Sequence, residues 1–166
     1  MCIRDRSVID LDAALRYIEN EEELSDLPVF LYGHSWGGYA VCAVLNYGHE
    51  ITGVVSIAGY NTPMEMITAW CKEEMGFFTY IEYPYLWIYQ KYLFGGMSNL
   101  SAVKGINKTD TPVLIIQGEK DSVVPADSAA IAAHREEITN PSAVYKICGE
   151  EGQNGHSDLF ASKESL

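Results

Sequence analysis

The amino-acid sequence predicts an α/β protein, a three-layer α/β/α sandwich with a mostly parallel sheet and a helical cap insertion. Two observations support this prediction. Short apolar runs at 29–32, 53–59, 112–118 and 142–148 are separated by segments with helical spacing of their apolar residues, and strands that alternate with helices form parallel sheets. The segment 62–101 interrupts this alternation with a dense helical pattern of its own, which is typical of an insertion.

Size, composition and charge restrict the classes of protein to which the chain can belong. Its 166 residues suffice for a single domain, 1–166, with a hydrophobic core. Hydrophobic residues make up 48% of the chain and charged residues 20%, which is the composition of a globular protein. The net charge of −12 disfavours binding to nucleic acid. No apolar run approaches the roughly 20 residues of a transmembrane segment.

The first residues differ in character from the rest of the chain. Residues 1–6 have neither the apolar centre of a signal peptide nor the pattern of a helix start. They are similar to adapter read-through at the edges of assembled environmental sequences. We therefore expect 1–6 to be non-native and the true amino-terminal part to be missing, so that the domain is partial. The absence of a signal peptide therefore says little about the compartment, and a cytoplasmic location is the default expectation.

The first predicted helix begins at Ser7, with Asp10 placed three residues on as in a capping box. A strand at 29–32 follows, and the helix after it ends at Gly48. His49, directly past that end, is expected to be a helix-end cation or a surface residue rather than a catalytic group. The apolar stripe of the first helix consists of Val8, Leu11, Leu15 and Ile18. Reduced, buried thiols are the expectation for the four cysteines, which show no metal or redox spacing: Cys2, Cys42, Cys71 and Cys148.

Aromatic residues are concentrated in the insertion at about 62–101, which follows the strand at 53–59. Ten of the nineteen aromatic residues of the chain fall there with helical spacing. We interpret the segment as a helical cap. Its aromatic side chains either form an apolar wall over an active site or pack among themselves, and the pattern leaves both interpretations open.

Asp121 lies in the loop that follows the strand at 112–118. A carboxylate after a buried strand is placed to orient a histidine, while an ordinary Asx turn explains it equally well. A helix over 126–138 comes next, with His134 expected at its surface. Asp121 is thus a candidate functional residue, whereas His134 is expected to be a surface residue.

His156 is the one histidine that lies in a loop after a predicted strand. The alternating segment 142–148 leads into the glycine-rich loop Gly152-Gln153-Asn154-Gly155-His156, and a short helix begins at Leu159. A loop histidine alone is usually a polar surface residue. Its position after the last strand nevertheless brings it to the same edge of the sheet as Asp121.

The most informative motif is the turn after the strand at 29–32, Gly33-His34-Ser35-Trp36-Gly37. This G-x-S-x-G pattern between a strand and a helix is typical of a nucleophile elbow, whose strained turn exposes the serine hydroxyl. We expect Gly33 and Gly37 to lie where a Cβ atom would collide with neighbouring backbone. The helix begins just past Ser35, so its positive end faces the hydroxyl. A plain helix N-cap is the alternative role for Ser35.

The order Ser35, Asp121, His156, each after a successive strand, is that of α/β-hydrolases. Most of the chain after Arg6 resembles this superfamily, especially its capped bacterial esterases, lipases and serine aminopeptidases. The family's opening strands and oxyanion loop have no counterpart here, so we expect the strand before Ser35 to have an exposed edge. Three segments carry the resemblance: Gly33-His34-Ser35-Trp36-Gly37-Gly38, Gln117-Gly118-Glu119-Lys120-Asp121-Ser122-Val123-Val124-Pro125, and Gly155-His156.

The resemblance implies a serine hydrolase that cleaves carboxylic ester-type bonds of a small-molecule substrate through an acyl-enzyme. Ser35 would attack the carbonyl, His156 would transfer the proton and Asp121 would orient the imidazole. The backbone N–H of Trp36 would donate to the oxyanion. No metal or organic cofactor is implied. Three alternatives stay open: a serine aminopeptidase, an acyltransferase, and a non-catalytic binding protein or inactive fragment.

Overall fold

A four-stranded parallel sheet forms the centre of the molecule. The computed structural model of the chain describes residues 3–95 and 100–160. The predicted α/β class with a parallel sheet is confirmed, and the carboxyl ends of all strands meet at one edge. The strands lie side by side in chain order: β1 (Phe30–His34), β2 (Gly53–Ile57), β3 (Val113–Gly118) and β4 (Ala143–Cys148).

The helices flank this sheet and supply most of the core. Apolar residues of α1, α2 and α5 pack in one cluster with one face of the sheet, where Leu31, Val54 and Val113 are in register and buried. Two further helices form the insertion between β2 and β3. The ranges are α1 (Ile3–Asn20), α2 (Trp36–Ala43), α3 (Pro63–Met75), α4 (Thr79–Phe94) and α5 (Ala102–Ile106), with short 3₁₀ helices at Val44–Tyr47 and Gly76–Phe78. Within the described residues, no helix has both the length and the apolar character needed to cross a membrane.

Helix α1 starts earlier than the sequence predicts. It begins at Ile3, so Ser7 lies inside the helix and the predicted capping role of Ser7 is wrong. No glycine or proline interrupts the chain before Ser7. Arg6 and Asp10 form an exposed i,i+4 ion pair, with Nε and Oδ2 3.6 Å apart, that supports the additional turn.

The predicted helix over 126–138 is also wrong in its first half. Ala130 is extended and forms an antiparallel bridge with Tyr60 just past β2, and the N–H of Ile131 donates to the carbonyl of Gly59 at 2.9 Å. These bonds remove the residues before Ile131 from any helix, because their backbone groups pair with another segment. Only a 3₁₀ helix, Ile131–Glu137, follows.

His49 and the cysteines depart in part from their expected environments. The side chain of His49 is only 5% exposed and lies 2.7 Å from Asp12 and 2.8 Å from Glu19 of α1. Of the two positions expected for His49, the exposed surface position is therefore wrong. Cys42 is buried, and burial raises the pKa of its thiol to about 12. The other two described cysteines are partly exposed, at Cys71 and Cys148, and Cys2 lies outside the described residues.

Candidate active site

Ser35 occupies the turn between β1 and α2 with a strained backbone. Its φ of 56° and ψ of −110° are rare for a residue with a Cβ atom. The turn is secured because the N–H of Ser35 donates to the carbonyl of Ile57 at 2.7 Å and its own carbonyl accepts from Tyr39 at 3.1 Å. Ser35 stands at the N-cap position of α2, yet its side chain makes no capping hydrogen bond. Side-chain capping therefore does not explain why a serine is present.

Close backbone contacts explain two glycines near the turn, Gly33 and Gly38, whereas the sequence predicts Gly33 and Gly37. A Cβ atom on Gly33 would collide with the carbonyl of Gly37. A Cβ atom on Gly37 itself would meet nothing within 4 Å, so the collision predicted for that residue is wrong. The second constrained position is Gly38, where a Cβ atom would lie 2.9 Å from the Cα of Gly59. Here α2 approaches the end of β2 too closely for any side chain.

The carboxylate of Asp121 is fully buried and is held by hydrogen bonds from the loop that follows β3. Its Oδ1 atom accepts from the backbone N–H groups of Val123, at 2.9 Å, and Val124, at 2.8 Å. Its Oδ2 atom accepts from the side-chain amide of Gln117 at 3.1 Å, and the side chain has no exposed surface. The Asx turn and the orienting role expected for Asp121 are therefore compatible, because the two oxygens serve different partners.

His156 is the further partner of that carboxylate. Its Nδ1 atom lies 2.8 Å from Asp121 Oδ2, which requires Nδ1 to carry a proton and leaves Nε2 as the acceptor of the neutral ring. The glycine-rich loop docks on the end of β3, where the N–H of Lys120 donates to the carbonyl of Asn154 at 2.9 Å. In the described part of the chain, no hydrogen bond joins the Ser35 hydroxyl to the His156 ring. Such bonds often tighten only when substrate is present.

His34 also contacts His156, and sequence reasoning did not single it out. Its Nε2–H donates to the backbone carbonyl of His156 at 2.8 Å. The two rings are 4.7 Å apart between centroids, at an interplanar angle of 46°. The only sequence signal was its place directly before Ser35, which does not reveal a contact with a loop 122 residues away.

A small cavity of about 110 Å³ opens beside Ser35 under α3. Of the described cap aromatics, only Trp70 lines it, and others are largely exposed, such as Tyr85 at 73%. The interpretation of the cap as an aromatic wall therefore holds for one residue. The cavity's remaining lining residues are mostly apolar: Trp36, Tyr60, Pro63, Met66 and Val123.

A larger cavity, of about 1020 Å³, lies elsewhere. It is lined by segments that precede β1, β2 and β3, including Val29, Thr52 and Thr111. It therefore opens at the amino ends of the strands, opposite Ser35. In open α/β sheets ligands bind at the carboxyl ends, so the smaller cavity, which includes Ser35, is the candidate site.

Comparisons with known proteins agree with this fold. A model of the prolyl oligopeptidase family matches residues 3–154. The esterase Pf2001 of Pyrococcus furiosus aligns over 96% of this chain with a TM-score of 0.63 and 17% identity. An acetyl xylan esterase of Thermoanaerobacterium sp. aligns over 90%, with a TM-score of 0.61 and 17% identity. An acylaminoacyl peptidase of Pyrococcus horikoshii aligns over 92%, with a TM-score of 0.60 and 16% identity.

The aligned regions are parts of longer chains, at 57%, 46% and 24% of the three proteins respectively. At these identities the likeness shows a shared fold. A comparison with curated protein sequences finds no match.

Proposed function

The chain belongs to the prolyl oligopeptidase family, and from this premise we propose that it is a serine hydrolase that cleaves ester-type acyl bonds. The observation that carries the proposal is the 2.8 Å contact between His156 Nδ1 and the buried Asp121 carboxylate. Because this contact fixes the tautomer, His156 Nε2 can accept the proton of Ser35.

The proposed reaction has two balanced halves. Ser35 Oγ attacks the ester carbonyl while its proton passes to His156 Nε2, and collapse of the tetrahedral intermediate releases the alcohol with that proton. Water then attacks the acyl-enzyme and gives a proton to the same nitrogen. Collapse of this second intermediate releases the carboxylic acid, and the proton passes from His156 Nε2 to Ser35 Oγ, which restores the serine. Throughout, Asp121 keeps Nδ1–H hydrogen-bonded and stabilises the imidazolium.

The amino end of α2 is the proposed source of oxyanion stabilisation. Trp36 is the first residue of that helix, so its backbone N–H lies beside the nucleophile at the positive end of the helix dipole. Loss of a single oxyanion donor costs on the order of 10²–10³ in rate in comparable enzymes. The contribution is made by the backbone, which is why a bulky Trp36 is compatible with the role.

An aminopeptidase is the second candidate, favoured by one observation. A neighbouring cleft of about 290 Å³ shares Trp70 and Val123 with the Ser35 cavity and also contains Glu73 and Glu74, whose carboxylates suit a substrate ammonium group. The Ser35 cavity itself has no acidic lining residue among those described, which favours an uncharged acyl group. Turnover of p-nitrophenyl esters and of aminoacyl p-nitroanilides decides between the two. Preference for the anilides, lost in Glu73→Gln or Glu74→Gln, would replace the ester proposal.

Labelling with a fluorophosphonate probe tests the proposed nucleophile. We expect stoichiometric labelling of the protein, none in Ser35→Ala, and unchanged labelling in Ser25→Ala, which removes an exposed serine at the other end of the sheet. Ser35→Ala and His156→Ala should each lower kcat by roughly 10⁴ to 10⁶. Equal labelling of the parent and Ser35→Ala, or no labelling of either, would contradict the proposal.

A further inference from the structure

We propose that the cavity beside Ser35 binds the acyl chain of the substrate and admits only short, uncharged aliphatic groups, with Met66 and Trp70 setting the limit. The inference rests on the proposed function, since it takes Ser35 as the nucleophile. It adds the substrate class, which neither the family nor the shared fold determines.

The volume of the cavity sets the length of the chain. At roughly 30 Å³ for each water-sized atom, its 110 Å³ holds three or four non-hydrogen atoms. For comparison, an apolar cavity of about 150 Å³ binds benzene. Acyl groups from propionyl to pentanoyl therefore fit beyond the carbonyl carbon, whereas a phenyl ring or a longer chain does not.

The lining of the cavity sets the polarity of the chain. Its walls contain no charged side chain among the described residues, and Trp70 directs its indole N–H to the carbonyl of Val123 at 3.0 Å rather than to a ligand. Transfer of an ionised group into such surroundings is costly without a partner. Each methylene buried there instead contributes favourably, by about fourfold in an equilibrium or rate constant.

Met66 and Trp70 form the wall of the cavity that belongs to the cap. They are four residues apart on α3 and so share one face of the helix. Met66 is only 8% exposed. The wall is tied to the catalytic loop, because Val123 accepts from Trp70 through its carbonyl and donates to Asp121 through its N–H. Movement of the Trp70 side chain away from the cavity would break its bond to Val123, so we expect the wall to resist longer chains.

A series of p-nitrophenyl esters from acetate to octanoate tests the limit. We expect kcat/KM to rise a few-fold per carbon to butyrate or pentanoate and to fall at least tenfold by octanoate. Met66→Ala removes three non-hydrogen atoms, about 90 Å³, and should move the maximum two or three carbons longer. Met66→Phe adds three non-hydrogen atoms and should shift the maximum of kcat/KM to shorter acyl chains. A general loosening of the fold would not produce a shift in that direction. Met64→Ala, on the same helix but outside the cavity, should leave the profile unchanged.

A second series, acetate esters of ethanol to octanol, separates the acyl from the alcohol side. The Met66 variants should leave this series unchanged. If they shift it instead, the cavity binds the alcohol and the inference is wrong. A flat acyl series that no Met66 variant alters, in protein that still labels at Ser35, overturns the inference alone. Absence of Ser35 labelling overturns the proposed function, and this inference with it.

Discussion

At the scale of single residues, the candidate site depends on the carboxylate of Asp121, both of whose oxygens accept hydrogen bonds. Asp121 receives hydrogen bonds from two backbone N–H groups and the Gln117 amide before it meets His156. That Ser35, Asp121 and His156 lie at one edge of the sheet was predictable, because each lies in a turn or loop after a strand and parallel strands bring their ends together. Gln117 and His34 were not, because their roles depend on contacts between segments that are distant in sequence.

Asp121→Asn tests the orienting carboxylate. The asparagine amide can donate to His156 Nδ1, which favours the tautomer with its proton on Nε2 and blocks proton acceptance from Ser35. We expect kcat to fall by about 10⁴ with little change in fold. Kinetics on p-nitrophenyl butyrate and the far-ultraviolet circular dichroism spectrum provide the measurement. Asp127→Asn and Asp158→Asn are matched controls, and near-normal turnover in Asp121→Asn would assign the acid elsewhere.

His34 is expected to position the loop that carries the base. His34→Leu removes the donor to the His156 carbonyl. We expect kcat to fall about tenfold while KM stays constant, because a tenfold loss corresponds to the free energy of one ordinary hydrogen bond. His34→Gln keeps an N–H at a similar reach and should restore most of the loss. Equal kcat values in the parent and the leucine variant would show that the contact does not hold the loop for catalysis.

At the scale of elements, the spacing of apolar residues predicted the strands and the cap helices correctly. It failed where the backbone of a distant segment pairs with a predicted helix. The four strands and α3 and α4 follow their apolar spacing. The segment 126–138 does not, because Tyr60 and Gly59 bond to its middle. Helix α4 was predictable as a helix, but the exposure of its aromatic residues was not, since it depends on what packs against them.

Glu65 links the start of the cap to the body of the protein, and its environment predicts a pH dependence of stability. Burial, opposed by the nearby His134, raises the pKa of the Glu65 carboxyl above its ordinary value of 4.5. Its Oε1 atom accepts from Asn61 at 3.0 Å, and its Oε2 atom lies 3.3 Å from His134 Nε2. His134 also pairs with Glu137 at 2.7 Å, and with a side chain that is 17% exposed it lies only partly at the surface.

The sign of the effect follows from proton linkage. Above about pH 4.5 the folded protein holds a proton on Glu65 that the unfolded chain has lost, so stability from this group falls as pH rises. Glu65→Gln removes the ionisation and should gain in Tm relative to the parent as the pH rises above about 4.5. Glu73→Gln, exposed on the same helix, should not. Parallel Tm–pH curves for the parent and Glu65→Gln would contradict the prediction.

At the scale of the whole molecule, the sheet is covered unevenly. In the described residues, β1 pairs with β2 alone, and Phe30 and Tyr32 on its outer face are 69% and 61% exposed. The exposed edge expected for the strand before Ser35 is therefore present in this structure. An apolar strand with an unpaired backbone edge is a template for pairing with another chain.

We expect the 166-residue chain to self-associate through β1, and a single charge there to reduce the association. Phe30→Lys places an ammonium group at the edge, while its aliphatic stem can still cover Gly53, against which the ring now packs. Analytical ultracentrifugation over a concentration series should show a higher proportion of monomer, with Tm unchanged. Tyr85→Lys, which replaces a similarly exposed aromatic residue on α4, is the control for nonspecific association through exposed aromatic side chains. If Tyr85→Lys restores the monomer and Phe30→Lys does not, association runs through the cap and the edge argument is wrong.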